Sequence, residues 1–189
     1  MFRDLVKSNR SYRRFYGEKA IEEATLRELV DIAGITPSAM NRQMMRYRLV
    51  NTPEENAKVY ATLGWAGYYK DWDGPAEQER PAAYVICLRE KALGAPILLD
   101  DGIAVQTLAL AATEKGLGCC ILLNCQWKEL FAQLQIDGEK YDFSCVVAIG
   151  YPLEQVKLEE MQGGDFHYWR TEDGVQHVPK RKLDELIVK

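Results

Sequence analysis

The chain has 189 residues, a formal net charge of −4 and 47% hydrophobic residues. This hydrophobic content suits a folded core and is too high for a disordered chain. The length suits one domain, so we expect residues 1–189 to form a single domain. The negative charge excludes a broad basic face for nucleic acid, so a phosphate ligand would need a local cluster of cations.

Cysteine usage and hydropathy indicate a cytoplasmic protein with no membrane partner. The five cysteines are an odd number, and their spacing contains neither Cys-x-x-Cys nor a disulfide framework. The start, Met1–Asp4, lacks the apolar segment of a signal peptide, and the longest apolar stretch, 103–112, is too short to span a bilayer. We expect the neighbours Cys119 and Cys120 to be inert packing residues.

Hydrophobic patterns predict two helices and then alternating strands and helices up to residue 149. In chain order the predicted elements are helix 2–8, helix 24–33, strand 47–50, helix 53–63, strand 82–88, helix 97–115, strand 119–123, helix 128–136 and strand 143–149. Helix 97–115 is apolar almost all round, which predicts burial on every side, either at the domain centre or in a subunit interface. Its many alanines favour the interface. The remaining tail is polar.

A basic segment follows the first helix. In an extended conformation Ser11 and Arg13 face the same side, so a hydroxyl and a guanidinium can reach one anion, while Arg10 faces the other side. A solvated basic loop is the alternative interpretation.

Two further segments suit a flat ligand. The loop 37–43 consists of small and amide-bearing residues that allow backbone amides to approach a planar ring; an ordinary connecting loop is the alternative. Segment 64–72 places Tyr68, Tyr69 and Trp72 between glycines, as in a lid over a substrate. Core packing or a partner interface is the alternative for these aromatics.

Motifs for catalysis by side chains are absent. The sequence has no dinucleotide fingerprint, no phosphate-binding Gly-x-x-x-x-Gly-Lys loop and no Gly-x-Ser-x-Gly elbow. His167 and His177 lie in the polar tail without metal-ligand spacing. We therefore expect no catalytic side chain and no metal site, and an enzyme of this sequence would depend on a bound cofactor.

Four separated motifs, taken together, resemble a known family. They are Arg10-Ser11-x-Arg13, Pro37-Ser38-Ala39-x-Asn41-x-Gln43, the helix Asp101-Gly102-Ile103-Ala104-x-Gln106 with its exit Gly116-Leu117-Gly118, and Pro179-Lys180-Arg181. Each motif is weak alone. Their order and separation over nearly the whole chain are similar to those of the nitroreductase family, the FMN-dependent NAD(P)H oxidoreductases.

The resemblance implies an α+β fold in which helices flank a central, mostly antiparallel sheet, and an intertwined homodimer with two flavin sites at its interface. It implies that the FMN phosphate contacts Arg10, Ser11, Arg13, Lys180 and Arg181. The motif around the flavin ring comprises Pro37, Ser38, Ala39, Asn41 and Gln43. Leu123 and Asn124 fall where the family offers a backbone amide to the reactive ring nitrogen, and Tyr68, Tyr69 and Trp72 would cover the acceptor.

The activity implied is reduction of nitroaromatic, quinone or similar electron-poor small molecules by NAD(P)H, in two alternating hydride transfers on FMN. Two alternatives stay open. One is other flavin chemistry of the same superfamily, namely reductive dehalogenation or flavin breakdown. The other is a non-catalytic flavin- or phosphate-binding protein.

Overall fold

The computed structural model describes residues 1–188 and contains two sheets with helices around them. The helices are α1 (Phe2–Ser8), α2 (Glu23–Gly34), α3 (Pro53–Ala61), α4 (Leu98–Glu114), α5 (Trp127–Leu134) and α6 (Leu183–Leu186). The strands are β1 (Met45–Val50), β2 (Ala83–Glu90), β3 (Gly118–Leu122), β4 (Tyr141–Gly150), β5 (Val156–Glu160), β6 (Trp169–Arg170) and β7 (Gln176–Lys180). All nine predicted elements are present, with ends that differ by at most two residues.

The main sheet has the order β1-β2-β4-β3, and every neighbouring pair of strands is antiparallel. Its central strands are buried on both faces, which is why they read as continuous apolar runs in the sequence. Val85 and Val147 face α2 and α4, whereas Ile86 and Val146 face α3 and α5. This arrangement confirms the expected α+β fold with helices on a mostly antiparallel sheet.

A β-bulge interrupts the pairing of β2 with β4. Cys87 pairs with Cys145 and Leu88 pairs with Phe143, so Ser144 is an extra residue in β4. The bulge turns two consecutive side chains toward α4: the Ser144 hydroxyl donates a hydrogen bond to Asp101, and Cys145 packs in the cluster that contains Val105. Without a bulge, alternate residues of a strand would face opposite sides.

The second sheet was missed in the sequence. Strands β5, β7 and β6 form it in that order, with β5 parallel to β7 and β6 antiparallel to β7. The polar tail is therefore not irregular, although the turn at 171–174 is present, with Gly174 N–H donating to the Thr171 carbonyl at 2.9 Å. Strand β7 ends at Lys180 and carries that residue toward the N-terminal segment.

Helix α4 is only partly buried within one chain. Ala104, Leu108 and Ala112 pack into the core, but Leu98 and Leu99 are 68% and 71% exposed. Burial at the domain centre, one of the two alternatives, is therefore wrong because an apolar face is left open, and the favoured alternative, burial in a subunit interface, stays a prediction. Among residues 1–188, no helix combines the length and apolar character required to cross a bilayer.

The N-terminal segment runs beside β3. Ser11 bridges Cys119 in parallel orientation, and the Tyr12 N–H donates to the Cys119 carbonyl at 3.0 Å. Tyr12 can approach this closely because Gly118 has no side chain: a Cβ there would lie 2.7 Å from Tyr12 Cδ2. The bridge positions Arg10 and Arg13 next to β3 and α4.

Candidate functional site

The N-terminal segment, α4, β3 and β7 enclose a cavity of about 330 Å³, which we call the basic cavity. Its wall includes Arg10, Ser11, Arg13, Gln106, Cys119 and Lys180. Four of the five residues that the family resemblance assigned to the FMN phosphate therefore meet at one place. Arg10 also lines the cavity, although strict alternation predicted that it would face away from Arg13.

The cations of the basic cavity are uncompensated. Within residues 1–188, no carboxylate forms an ion pair with Arg10, Arg13 or Lys180. Other arginines in the chain do have carboxylate partners, among them Arg14, Arg46, Arg48, Arg89 and Arg170. Burial lowers the pKa of the Arg10 guanidinium. Cations held together without counter-charges favour binding of an anion, and guanidinium groups match phosphate oxygens in geometry.

The two arginines are held by neutral groups. Arg10 Nη2 donates to the Val6 carbonyl at 2.9 Å, and Arg13 Nη1 donates to the Ser11 carbonyl at 3.3 Å. The Arg13 guanidinium also lies 4.7 Å from the centre of the Tyr168 ring. Neither contact neutralises the charge, so both side chains are oriented and still available to a ligand.

Asn9 ties the segment to α4 and was not identified from the sequence. Its Nδ2 donates to the Ala109 carbonyl at 3.1 Å and to Thr113 Oγ1 at 2.9 Å, and its Oδ1 accepts from Gln106 Nε2 at 3.0 Å. A polar side chain directly before the basic motif was the only available signal. Tyr168, which stacks on Arg13, was also missed because it lies in the tail.

Arg181 does not line the basic cavity. Its Nη1 lies 3.6 Å from Glu185 Oε2, in the short helix that follows. Lys180 and Arg181 are consecutive, and consecutive side chains at the end of a strand point to opposite sides. The single chain therefore brings only one of these two basic residues to the cavity.

The loop 37–43 is held in an unusual backbone conformation. Met40, Asn41 and Gln43 have positive φ values of 53°, 54° and 48°, a region that residues other than glycine seldom adopt. The Ala39 N–H donates to both carboxylate oxygens of Asp100, at 3.0 and 3.1 Å, and fixes the loop to the first turn of α4. Strained backbone of this kind concentrates at ligand sites.

This loop lines a separate cavity of about 200 Å³, the loop cavity, whose wall includes Pro37, Ser38, Gln43, Tyr47, Asp100 and Ala104. Asp100 and Ala104 lie on one side of α4, while Gln106 and Ala109 border the basic cavity on roughly the opposite side, given about 3.6 residues per turn. One chain therefore does not bring the loop to the basic cavity. Ala39 and Asn41 are not in either wall.

A third cavity of about 390 Å³ continues from the basic cavity. Its wall includes Arg89, Asp101, Gln106, Ile121, Leu123 and Cys145. Gln106 and Ile121 belong to both walls, so we treat the two cavities as one cleft along α4, the α4 cleft. Leu123 is 74% exposed in it. Asn124 lies beyond it, with its carbonyl accepting from the Gly64 N–H at 2.9 Å.

The aromatic segment packs on the second sheet. The Tyr69 hydroxyl donates to Gln176 Oε1 at 2.8 Å. The Tyr68 ring lies 4.8 Å from the Tyr168 ring and is tilted against it by 49°. The Arg170 guanidinium lies 4.9 Å from the centre of the Trp72 ring. Tyr168 is the residue that joins this group to the basic cavity. Neither the loop cavity nor the third cavity is lined by the three predicted lid residues.

Other titratable groups have local roles. His167 and His177 contact Asp165 and Glu159 at 2.6 and 2.7 Å. In the part of the chain that the structure describes, no three His, Cys, Asp or Glu residues are grouped to hold a metal ion.

Comparisons with known proteins place these features in a family. The sequence profile of the nitroreductase family matches residues 6–151. A comparison with curated protein sequences gave no significant match. Among solved structures, a provisionally assigned nitroreductase from Desulfovibrio desulfuricans in complex with FMN has a TM-score of 0.72 at 20% identity, over 98% of this chain and 94% of that one.

Two other solved structures have the same fold at low identity. A nitroreductase family protein from Clostridium novyi NT has a TM-score of 0.67 at 18% identity, over 80% of this chain and 85% of that one. The enone reductase CLA-ER, of gut-bacterial fatty acid saturation metabolism, has a TM-score of 0.70 at 17% identity, over 85% and 92% of the two chains. With the profile match over most of its length, the chain belongs to the nitroreductase family.

Proposed function

We propose that this protein is an FMN-dependent oxidoreductase that uses NAD(P)H to reduce electron-poor small molecules such as nitroaromatics and quinones. The observation that carries the proposal is the basic cavity, in which Arg10, Arg13 and Lys180 converge without carboxylate partners among residues 1–188. Family membership and the FMN-bound relative from Desulfovibrio desulfuricans support the choice of anion.

The residues present fit FMN. Arg10, Ser11, Arg13 and Lys180 would hold the phosphate, with guanidinium forks, a hydroxyl and a point charge. The continuous third cavity offers Ile121 and apolar neighbours next to this charge, which suits a flat, largely apolar ring. Arg181 would contribute only if its side chain left Glu185.

The chemistry would belong to FMN, which when bound would supply hydride transfer from NAD(P)H to an electron-poor acceptor in two half-reactions at one place. The chain binds, orients and excludes water. The cations of the basic cavity stabilise negative charge, and the apolar wall with Ile121 and Leu123 limits solvent access. No side chain is required as a general acid or base, in agreement with the sequence.

A homodimer formed through α4 is part of the proposal. The open face of α4 carries Leu99 and the half-buried Ile103 and Leu110, and Phe2 of the adjacent α1 is 71% exposed. Contiguous apolar surface of this kind marks an interface in proteins of this size. This face lies between the loop cavity and the α4 cleft, so a second copy packed on it would bring its loop 37–43 to the cleft of the first.

The range of acceptors and the alternatives follow from the same site. The likeness to an enone reductase adds activated enones to the acceptors worth assaying. Reductive dehalogenation and flavin breakdown would use the same cofactor site, and a non-catalytic flavin-binding protein would use it without turnover. The five cysteines are free thiols, which supports a reducing cytoplasm as the location.

The test is the visible spectrum of the FMN-loaded protein during anaerobic addition of NADPH and then NADH, followed by steady-state assays with a nitroaromatic, a quinone and an enone. Bleaching of the flavin band and turnover with one of these acceptors are the expected results. Bleaching without turnover of any acceptor would favour other flavin chemistry. A flavin band that does not bleach would favour a binding protein, and failure to load FMN would overturn the proposal.

A further inference from the structure

Two cysteines oppose each other where the β-bulge meets the α4 cleft. Cys87 of β2 and Cys145 of β4 are direct cross-strand partners, and both pack on the face of the sheet that α4 covers. Directly opposed residues of an antiparallel pair have Cα atoms about 4.5–5.5 Å apart. This lies within the range of about 4.4–6.8 Å that a disulfide requires. The cross-strand pairing of Cys87 with Cys145 is therefore compatible with the spacing of a disulfide.

One of the two thiols reaches the cleft. Cys145 lines the third cavity together with Arg89, Asp101 and Ser144, whereas Cys87 is fully buried behind it. Cys145 is 3% exposed and Cys87 is 0% exposed, so Cys145 is the one of the two that borders the cavity, and the small opening favours a small oxidant over a bulky thiol reagent. The bulged residue Ser144 places its hydroxyl on Asp101, and Arg89 Nε donates to the same carboxylate at 2.7 Å, so polar groups surround the accessible sulfur.

The contact between the two sulfurs distinguishes their chemistry. A contact with the Cys87 thiol lowers the pKa of Cys145, and the contact with Cys145 raises the pKa of Cys87. Cys145 is also the member of the pair that lines the cavity. Because thiolate is the nucleophilic form, position and charge together favour Cys145 as the attacking group and Cys87 as the resolving one. The other cavity-lining cysteine, Cys119, has its pKa raised by burial and pairs with Ile149, so it has no opposed thiol.

We propose that Cys145 and Cys87 form an oxidation site for hydrogen peroxide on the floor of the α4 cleft. The Cys145 thiolate attacks one peroxide oxygen and the O–O bond breaks. Hydroxide leaves, takes up a proton as water, and Cys145 becomes a sulfenic acid. Cys87 then attacks the Cys145 sulfur, the S–S bond forms, and the S–O bond breaks with release of a second water. Two thiols lose two electrons and one peroxide gains them.

The source of the peroxide rests on the proposed function, because a reduced flavin that is reoxidised by molecular oxygen yields hydrogen peroxide in the same cleft. The thiol chemistry does not depend on turnover. Added peroxide therefore tests the cysteine pair even if the protein never accepts electrons from NAD(P)H.

The experiment treats the FMN-loaded protein with hydrogen peroxide, blocks remaining thiols in acid and maps disulfides by mass spectrometry without reduction. We expect a peptide pair linked through Cys87 and Cys145 that accumulates with peroxide and disappears with dithiothreitol. Cys119→Ser is the matched control and should leave the link unchanged. In Cys87→Ser, oxidation should stop at the Cys145 sulfenic acid, which dimedone traps. Cys145→Ser should form neither the disulfide nor the dimedone adduct.

Three outcomes would overturn the proposal: no 87–145 link at peroxide doses that oxidise Cys125, equal linking of other cysteine pairs, or dimedone trapping in Cys87→Ser at a residue other than Cys145. A second arm replaces added peroxide by NADPH and air, with and without catalase. Linking that catalase suppresses supports the flavin as the source. If the disulfide forms with added peroxide but not with NADPH and air, the cysteine pair is supported as an oxidation site. That result excludes only the flavin as the source of the oxidant.

Discussion

Removal of the Arg13 guanidinium is the most direct test of the basic cavity. The Arg13 guanidinium has no carboxylate partner among residues 1–188. It contacts the Ser11 carbonyl at 3.3 Å and the Tyr168 ring, whereas Glu154 accepts a hydrogen bond only from the Arg13 backbone N–H. Arg13→Ala therefore removes a cation from the cavity without leaving a buried carboxylate unpaired. A charge-assisted hydrogen bond contributes about 1.5–3 kcal/mol, so FMN affinity should fall by about 10- to 150-fold at roughly 1.4 kcal/mol per decade.

The assay is titration of FMN into the apoprotein, followed by quenching of flavin fluorescence, with the melting temperature measured in parallel to confirm folding. Arg181→Ala is the matched control because it deletes the same charge one residue beyond β7, where the side chain lies near Glu185 and outside the cavity. An Arg13→Ala variant within about threefold of the wild-type affinity, which is below 1 kcal/mol, would refute the placement of the phosphate. Equal losses in both variants would show that Arg181 turns into the cavity when the anion binds.

Two further predictions concern stability and assembly. Arg14 Nε donates to Glu79 Oε2 at 2.7 Å, and this hydrogen bond lowers the pKa of Glu79 below its ordinary value of 4.5. The pair therefore stabilises the fold fully above pH 4.5. Its contribution is lost as the pH falls through the lowered pKa of Glu79. Glu79→Gln should reduce the free energy of unfolding near neutral pH. In chemical denaturation at several pH values, the free energy of unfolding of the variant should fall less steeply toward acid pH than that of the wild type. An equal pH dependence in the two proteins would contradict this prediction. Leu99→Glu places a charge on the open face of α4, so sedimentation should change from dimer to monomer; a wild-type monomer would refute the proposed interface.

The main fold could be predicted because its elements carry local signals. Strand β4 is apolar along most of its length, and α4 is long, with Gly116 just beyond its end at a φ of +75°. The second sheet lacked such signals. Strand β5 is short and polar and pairs in parallel with β7, from which it is separated by β6 in the sequence, and a contact so distant along the chain leaves no periodic pattern.

The site was predictable only in its composition. Arg13 and Lys180 are far apart in sequence, and it was the order of motifs that connected them. Arg181 lies outside the basic cavity because its side chain, just after the end of β7, points away from it. The motif Pro179-Lys180-Arg181 does not specify that direction. The bulge at Ser144 was invisible because neither glycine nor proline marks it, and so the position of Cys145 in the cleft could not be foreseen.

The bridge between Ser11 and Cys119 has a consequence for the solution behaviour of the protein without its ligand. Strand β3 is an outer strand of the main sheet, and such a strand presents unpaired N–H and C=O groups that can recruit strands of other molecules. The N-terminal segment covers part of this edge through the Ser11 bridge and the hydrogen bond of Tyr12. Under the proposed function, a bound phosphate would offset the charges of Arg10 and Arg13 and so stabilise this cover. We therefore expect the protein without an anion to aggregate more readily than the FMN-loaded protein.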